Sequence, residues 1–224
     1  MGRPRRVDVG GLVYHALNRA SARATLFDGP ADYRQFEEVL GEAVVRTPMR
    51  LLAYCVMPNH WHLVLWPERD GQLSRFMTWL TLTHTQRWHA RRRSAGSGHL
   101  YQGRYKSFLV EADDHLLAVC RYVERNPLRA RLVRRAEAWR WGSLWRREHR
   151  RGPELLADWP VARPDDWRGF VNRPESADEL EGLRAAAQRG RPFGAGRWFD
   201  NVVRTFGLDA TLRPRGRPKQ AIGS

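Results

Sequence analysis

The feature that most constrains the fold is a pair of apolar runs separated by only two residues. Residues 49–57 and 60–66 are both rich in strand-forming side chains, and the Pro58-Asn59 pair between them is a turn signal. So short a connection joins strands only as an antiparallel hairpin. We therefore predict that these two runs are neighbouring strands in the centre of a sheet.

The segments around the hairpin alternate between strand and helix patterns. A short strand and a helix precede it, and a longer helix, a strand and a further helix follow. Asp113 or Asp114 should cap the last helix, and Pro127 should end or bend it near Asn126. The order predicts an α+β fold, a split βαβ or ferredoxin-like antiparallel sheet covered by helices. The predicted strands outside the hairpin are residues 12–17 and 106–111, and the predicted helices are residues 31–45, 71–93 and 114–126.

The composition changes after about residue 142. Tryptophan and arginine dominate residues 139–151, and four prolines follow between residues 153 and 174. We predict a first domain over residues 1–150, a basic helical C-terminal extension over residues 151–210, and a flexible, disordered basic tail over residues 211–224.

The charge balance indicates a polyanionic partner. The chain has 39 basic and 24 acidic residues, which give a net charge of +15, and all but two of the basic residues are arginine. Residues 87–151 alone carry 17 basic and 6 acidic residues, so either the DNA path or a solvated basic face lies there. Two cysteines are too few for a disulfide framework, and no segment resembles a leader or a membrane span, so we expect a cytoplasmic protein without a membrane partner.

The sharpest chemical feature is the His60-Trp61-His62 triplet in the second arm of the hairpin. Strand alternation sends both imidazoles to one face and the indole to the other. Two neutral imidazoles on one face are half of a metal site, although strands also contain such pairs without a metal.

A third ligand could come from the helix before Pro127. Tyr122 and Asn126 are four residues apart, on the face opposite the apolar stripe of that helix. Asparagine offers a neutral oxygen to a hard cation, and a tyrosine hydroxyl can attack phosphorus when a nearby metal polarises the phosphate. On spacing alone, these two residues could equally be a half-buried aromatic and a helix-terminal amide.

Three ordered motifs, with residues near the N-terminus, resemble one protein family. The motifs are VMPNHWHLVL at residues 56–65, YQGRYK at residues 101–106 and RYVERNPLRA at residues 121–130. Together they resemble the REP-associated tyrosine transposases, relatives of the single-tyrosine insertion-sequence transposases of the HUH superfamily. The N-terminal residues that fit the same family are Tyr14, His15, Arg19, Phe27, Asp32 and Tyr33.

The resemblance implies an activity and a site. His60, His62 and Asn126 would hold a divalent metal, Mg²⁺ or Mn²⁺, and Tyr122 would be the nucleophile. The family cleaves and rejoins single-stranded DNA beside hairpins formed by palindromic repeats, through a 5′-phosphotyrosine intermediate. Such a transposase would be associated with the nucleoid, and its relatives act as monomers or homodimers.

Several basic and aromatic residues around the proposed nucleophile are candidate DNA contacts. The YQGRYK segment mixes charge with aromatic rings, which suits phosphate contacts combined with base stacking. The tail resembles an AT-hook core, which enters the minor groove of A/T-rich duplex DNA, and plain electrostatic tethering is the alternative role. The candidate DNA-binding residues are Arg19, Arg104, Tyr105, Lys106, Arg125, Arg129, Arg215 and Arg217.

Two other functions fit the same residues. A non-catalytic regulator could bind palindromic DNA through the basic face and leave the metal site idle. A metal-dependent phosphodiester hydrolase could use His60 and His62 without forming a protein adduct. Replacement of Tyr122 by phenylalanine separates these alternatives from the strand transferase.

Overall fold

The core of the protein is a four-stranded antiparallel sheet with the strand order β2-β3-β1-β4. The computed structural model describes residues 6–21, 24–94, 96, 98–149 and 154–213. The order is that of a ferredoxin-like sheet, in which β3 lies between two parallel strands, so the predicted fold class is confirmed. The prediction that both arms of the hairpin lie in the centre of the sheet is wrong for β2, which is an edge strand. The strands are β1 (Val13–Arg19), β2 (Arg50–Met57), β3 (His60–Trp66) and β4 (Lys106–Val110).

Helices cover both faces of the sheet. The predicted helices are present with shifts of at most two residues at their ends, two short helices lie between residues 126 and 149, and residues beyond 150 add three more. The helices are α1 (Pro30–Arg46), α2 (Gln72–Arg92), α3 (Asp114–Glu124), α4 (Asn126–Arg129), α5 (Ser143–His149), α6 (Trp167–Asn172), α7 (Ala177–Arg189) and α8 (Gly196–Phe206).

Strand alternation divides the buried side chains into two cores. On one face, β3 contributes Trp61 and Leu63 to a core shared with α1 and α2. On the other face, Val64 joins a core that includes the stripe of α3 and the side chains of α6 and α7. Because α3 lies on the second face, it covers the same side of the sheet as His62.

The boundaries of α3 follow the two signals in the sequence. Asp113 caps the helix, since its side chain accepts a hydrogen bond from the backbone N–H of His115. The helix ends at Glu124, and α4 starts at Asn126 with Pro127 in its first turn. The predicted break near Asn126 is therefore confirmed.

The C-terminal extension runs along both outer edges of the sheet. At the β2 edge, the backbone N–H of Val56 donates to the carbonyl of Trp141, which precedes the extension, and the N–H of Ala157, within the extension, donates to the carbonyl of Leu51. At the β4 edge, Phe193 exchanges two backbone hydrogen bonds with the strand end at Leu109 and Glu111. The extension thus supplies partners that edge strands otherwise lack.

Both cysteines, Cys55 and Cys120, are buried thiols. Among the described residues, no helix is both long and apolar enough to cross a bilayer. The tail residues Arg215 and Arg217 lie outside the described residues.

Candidate active site

The two histidines of β3 share one face of the sheet, and the tryptophan between them lies on the other. The imidazole centroids of His60 and His62 are 4.9 Å apart. Trp61 is fully buried in the opposite core, where its indole N–H donates to the Tyr101 hydroxyl at 3.0 Å. The alternation expected from the sequence is therefore present.

Neighbouring groups fix which nitrogen each histidine turns to the site. His60 Nδ1 lies 2.6 Å from Asn59 Oδ1, which can only accept, so the hydrogen of this ring is on Nδ1. His62 Nδ1 lies 2.9 Å from His15 Nε2. In both rings the neighbouring side chain contacts Nδ1 and leaves Nε2 for a metal, the arrangement common to metal-binding histidines.

His15 is the residue of the site to which the sequence assigned no role. It lies on β1, is fully buried, and stacks on His62 with ring centroids 5.0 Å apart. In the sequence it is one polar residue in an apolar strand, 47 positions before His62. The only indication in the sequence is that His15 fits the N-terminal region of the family, and this fit gives no chemical role to the residue.

The three histidines are held in the neutral form that metal binding requires. Burial lowers the pKa of His15 to about 3. Burial, reinforced by the positive charges of Arg19 and Arg129, lowers the pKa of His60 to about 4. Burial also brings the pKa of His62 well below its ordinary value, so all three rings are uncharged at pH 7.

Tyr122 projects from α3 toward the histidines. Its ring centroid is 5.9 Å from that of His62 and 6.4 Å from that of His15, edge-on in both cases. The tyrosine residue is partly exposed. Its neighbour Glu124 points away, into a buried network with Ser143 and Trp167.

Asn126 opens α4, one turn beyond Tyr122. Asn126 is buried, with 7% of its surface exposed. Helix α4 packs against β2, whose last residue, Met57, pairs with His60 across the hairpin. Helix α4 thus begins beside the strand that is paired with β3.

The donor set fits a divalent cation. Among the described residues, His62 Nε2 finds no hydrogen-bond partner although it is buried. A buried polar atom without a partner is costly, and a metal ion would satisfy it. Two imidazole nitrogens and an amide oxygen suit Mn²⁺ or Mg²⁺, with the nitrogens favouring Mn²⁺.

Comparison with known proteins identifies the family. A family model described as "Transposase IS200 like" matches residues 8–126, slightly more than half of the chain, and includes His15, the two histidines of β3, Tyr122 and Asn126. The chain belongs to the IS200-like transposases. No curated protein matches this transposase in sequence.

One of two similar solved structures supports the fold. A REP-associated tyrosine transposase bound to a REP hairpin is 16% identical, with a TM-score of 0.56 over 74% of this chain and 96% of that one. At this identity the similarity speaks for the fold alone. A candidate transposase from Deinococcus radiodurans R1 is 19% identical over 55% of this chain and 95% of that one, but its TM-score of 0.39 is too low to support an argument.

Three cations predicted to contact DNA lie at the histidine end of the transposase sheet. Arg19 pairs with His60 across β1 and β3, and it is exposed. Lys106 pairs with Leu17, which in turn pairs with His62, so the lysine shares the histidine face. Arg104 is exposed just before β4.

Tyr105 lies elsewhere. Because it precedes Lys106 by one residue, strand alternation turns it to the opposite face, where it is buried. The guanidinium of Arg6 covers the ring at 3.9 Å from its centroid. In this structure the Tyr105 ring therefore presents no face on which a DNA base could stack.

Arg125 and Arg129 are engaged by the C-terminal extension. Arg125 binds Glu175 and the backbone carbonyls of Val171 and Asn172. Arg129 binds the same glutamate at 2.6 Å. Both arginines flank Tyr122 as expected, but their nearest anion in this structure is a carboxylate of the protein.

A second group of potential metal ligands lies at the start of α3. The ligand atoms of Glu111, Asp113 and His115 are within 4.8 Å of one another. The group is partly exposed, Asp113 caps α3, and Glu111 accepts a hydrogen bond from the backbone N–H of Ala195. These contacts account for the acidic side chains as structural residues.

Proposed function

We propose that this transposase is a metal-dependent, single-tyrosine nuclease and strand transferase that acts on single-stranded DNA beside palindromic hairpins. The observation that carries the proposal is the Tyr122 ring 5.9 Å from His62, on the histidine face of a transposase sheet. The choice of a hairpin substrate is supported by the structurally similar relative that is bound to a REP hairpin.

His60 and His62, through Nε2, and Asn126, through its amide oxygen, would hold the metal. Bound there, Mg²⁺ or Mn²⁺ would polarise the scissile phosphate and neutralise the charge that develops on it. Because both imidazoles are neutral at pH 7, their lone pairs are available without loss of a proton.

Tyr122 would perform the covalent step. Its hydroxyl oxygen attacks phosphorus, forms a 5′-phosphotyrosine, and expels the 3′-oxygen of the neighbouring nucleotide, which leaves as a 3′-hydroxyl. The phenol proton is lost in the same exchange, so one phosphodiester replaces another. Rejoining by attack of a 3′-hydroxyl on the phosphotyrosine then needs no nucleoside triphosphate.

The positive charge around the site would guide the DNA. Arg19, Arg104 and Lys106 lie at the histidine end of the sheet, where they can contact phosphates without sequence preference. We assign catalysis to residues 1–150 and auxiliary duplex binding to the tail with Arg215 and Arg217.

The test is a cleavage assay with a matched tyrosine control. The protein is incubated with labelled single-stranded hairpins from palindromes flanking its own gene, with Mn²⁺ or with EDTA, and the products are run on a denaturing gel. Tyr122→Phe removes the proposed nucleophile. Tyr33→Phe removes a hydroxyl from the opposite face of the sheet, where Tyr33 stacks on Trp141.

We expect a slowly migrating protein–DNA adduct that requires the metal, persists in Tyr33→Phe and is absent in Tyr122→Phe. Cleavage without an adduct that survives in Tyr122→Phe would replace the proposal with a hydrolase. Tight, metal-independent hairpin binding without cleavage would replace it with a regulator.

A further inference from the structure

The C-terminal extension is bound by a row of ion pairs to α3, the helix of Tyr122, and to α4. Arg121, Arg125 and Arg129 are spaced by four residues and therefore share one side of α3 and α4. Glu179 of α7 pairs with Arg121, and Glu175, just before α7, pairs with the other two. We call these five residues the arginine ladder.

Glu175 is the most enclosed member of the ladder. Its side chain is 3% exposed, and its two oxygens bind different partners, Oε1 at 2.6 Å from Arg129 and Oε2 at 3.1 Å from Arg125. A buried carboxylate with both oxygens engaged by charged donors has a fixed geometry. It therefore fixes the positions of the two guanidinium groups as well.

Arg129, which Glu175 holds in place, contacts the proposed nucleophile directly. Its guanidinium carbon lies 4.2 Å from the centroid of the Tyr122 ring, and Nη2 is 3.4 Å from the Tyr122 carbonyl oxygen. The same ring is nearly perpendicular to the imidazoles of His62 and His15, with interplanar angles of 89° and 82°. The Tyr122 ring thus contacts both a cation held by the extension and the imidazoles of the sheet.

We infer that Arg129 is a positioning residue for Tyr122, and that Glu175 of the extension holds it in place. The inference rests on the proposed function, in which the Tyr122 oxygen must lie in line with the scissile phosphate. Displacement of a reacting group by about 1 Å can reduce a rate on the order of 100-fold. The extension then completes the active site even though it carries none of the proposed metal ligands.

The ladder also provides its own control. Arg121 and Glu179 join the same helix to the same extension by the same kind of ion pair, and Arg121 covers the Phe170 ring rather than Tyr122. If the ladder only docks the extension, both Glu175→Gln and Glu179→Gln should lower stability, and neither should change the environment of the Tyr122 ring. If Arg129 positions Tyr122, only Glu175→Gln should change it.

The experiment compares these variants by two readouts in the full chain. The first is the fluorine NMR resonance of 3-fluorotyrosine placed at position 122 in metal-free protein, which reports the ring environment without catalysis. The second is the single-turnover cleavage rate at saturating hairpin and Mn²⁺, measured together with hairpin affinity.

For Glu175→Gln we expect a shifted or broadened resonance and a rate lower by roughly 10- to 100-fold, with hairpin affinity retained. Glu179→Gln should keep the resonance and a rate within about threefold of the original protein. Arg129→Lys, which keeps the charge but loses the planar group, should resemble Glu175→Gln, and it serves as the test if Glu175→Gln does not fold.

An unchanged resonance and rate in Glu175→Gln or Arg129→Lys would overturn the inference, and so would equal effects of Glu175→Gln and Glu179→Gln. If the original protein cleaves no hairpin but the resonance shifts only in Glu175→Gln and Arg129→Lys, the positioning contact stands and the proposed function fails.

Discussion

Substitution of His15 by phenylalanine should weaken metal binding without removing a metal ligand. The change deletes the nitrogen that lies 2.9 Å from His62 Nδ1, while a ring of similar size continues to fill the fully buried space beside Phe108. His62 then loses the contact that sets its tautomer and its ring orientation.

The size of the effect follows from the burial of the contact. A buried nitrogen left without its partner costs about 1–3 kcal/mol, and the His62 ring can relieve this cost by rotating Nε2 away from the site. Metal binding must reverse that rotation. We therefore expect the Mn²⁺ affinity to fall by roughly 10- to 100-fold, the range typical when a group that orients a metal-binding histidine is removed.

Isothermal titration of metal-free protein with MnCl₂ measures this affinity directly. His15→Gln returns an amide near the position of Nε2 and should recover most of the loss, and Tyr122→Phe should bind Mn²⁺ as the original protein does. The reasoning is refuted if His15→Phe, folded by circular dichroism, binds Mn²⁺ within about threefold of the original protein.

Three further predictions concern stability and charge. Tyr101→Phe leaves the Trp61 N–H and His84 Nδ1 without their hydrogen-bond partner, so the free energy of unfolding measured in urea should fall by about 2–4 kcal/mol. A decrease below about 1 kcal/mol would contradict the importance of these two hydrogen bonds. Because burial lowers the pKa of His84 to about 3, against 6.5 in the unfolded chain, only the unfolded chain gains this proton as the pH falls below 6.5. The free energy of unfolding should therefore decrease as the pH falls. His84→Gln should reduce the slope of this free energy against pH by about 1.4 kcal/mol per pH unit between pH 6 and 4. An unaltered slope would contradict the prediction. Arg19→Gln should reduce the slope of log affinity for the hairpin against log salt concentration by about 0.7, whereas Arg87→Gln, on a helix of the opposite face, should not.

The features that sequence predicted correctly are local ones. The Pro58-Asn59 turn, the Asp113 cap and the break at Pro127 each depend on a few adjacent residues whose backbone preferences agree. The opposite directions of Trp61 and the two histidines follow from the period of a strand alone. Tyr105 could have been assigned to the opposite face in the same way, by counting one residue back from Lys106.

The features that sequence missed depend on pairs far apart in the chain. His15 and His62 meet because β1 and β3 are neighbours in the sheet, and their 47-residue separation carries no periodic signal. Arg129 is a basic residue beside a proposed nucleophile, which favours a phosphate contact until Glu175 is placed against it. Only packing decides which anion an arginine meets.

The hydrogen bonds along the outer edges of the sheet also affect how the chain folds during synthesis. All four strands have been made by residue 110, but the partner of Leu51 is Ala157 and the partner of Leu109 is Phe193. Until the ribosome has added these later residues, both edges expose unpaired backbone groups to other nascent chains. A protein truncated near residue 150 would keep its four strands and the proposed metal ligands, yet it would leave the β4 edge open to aggregation.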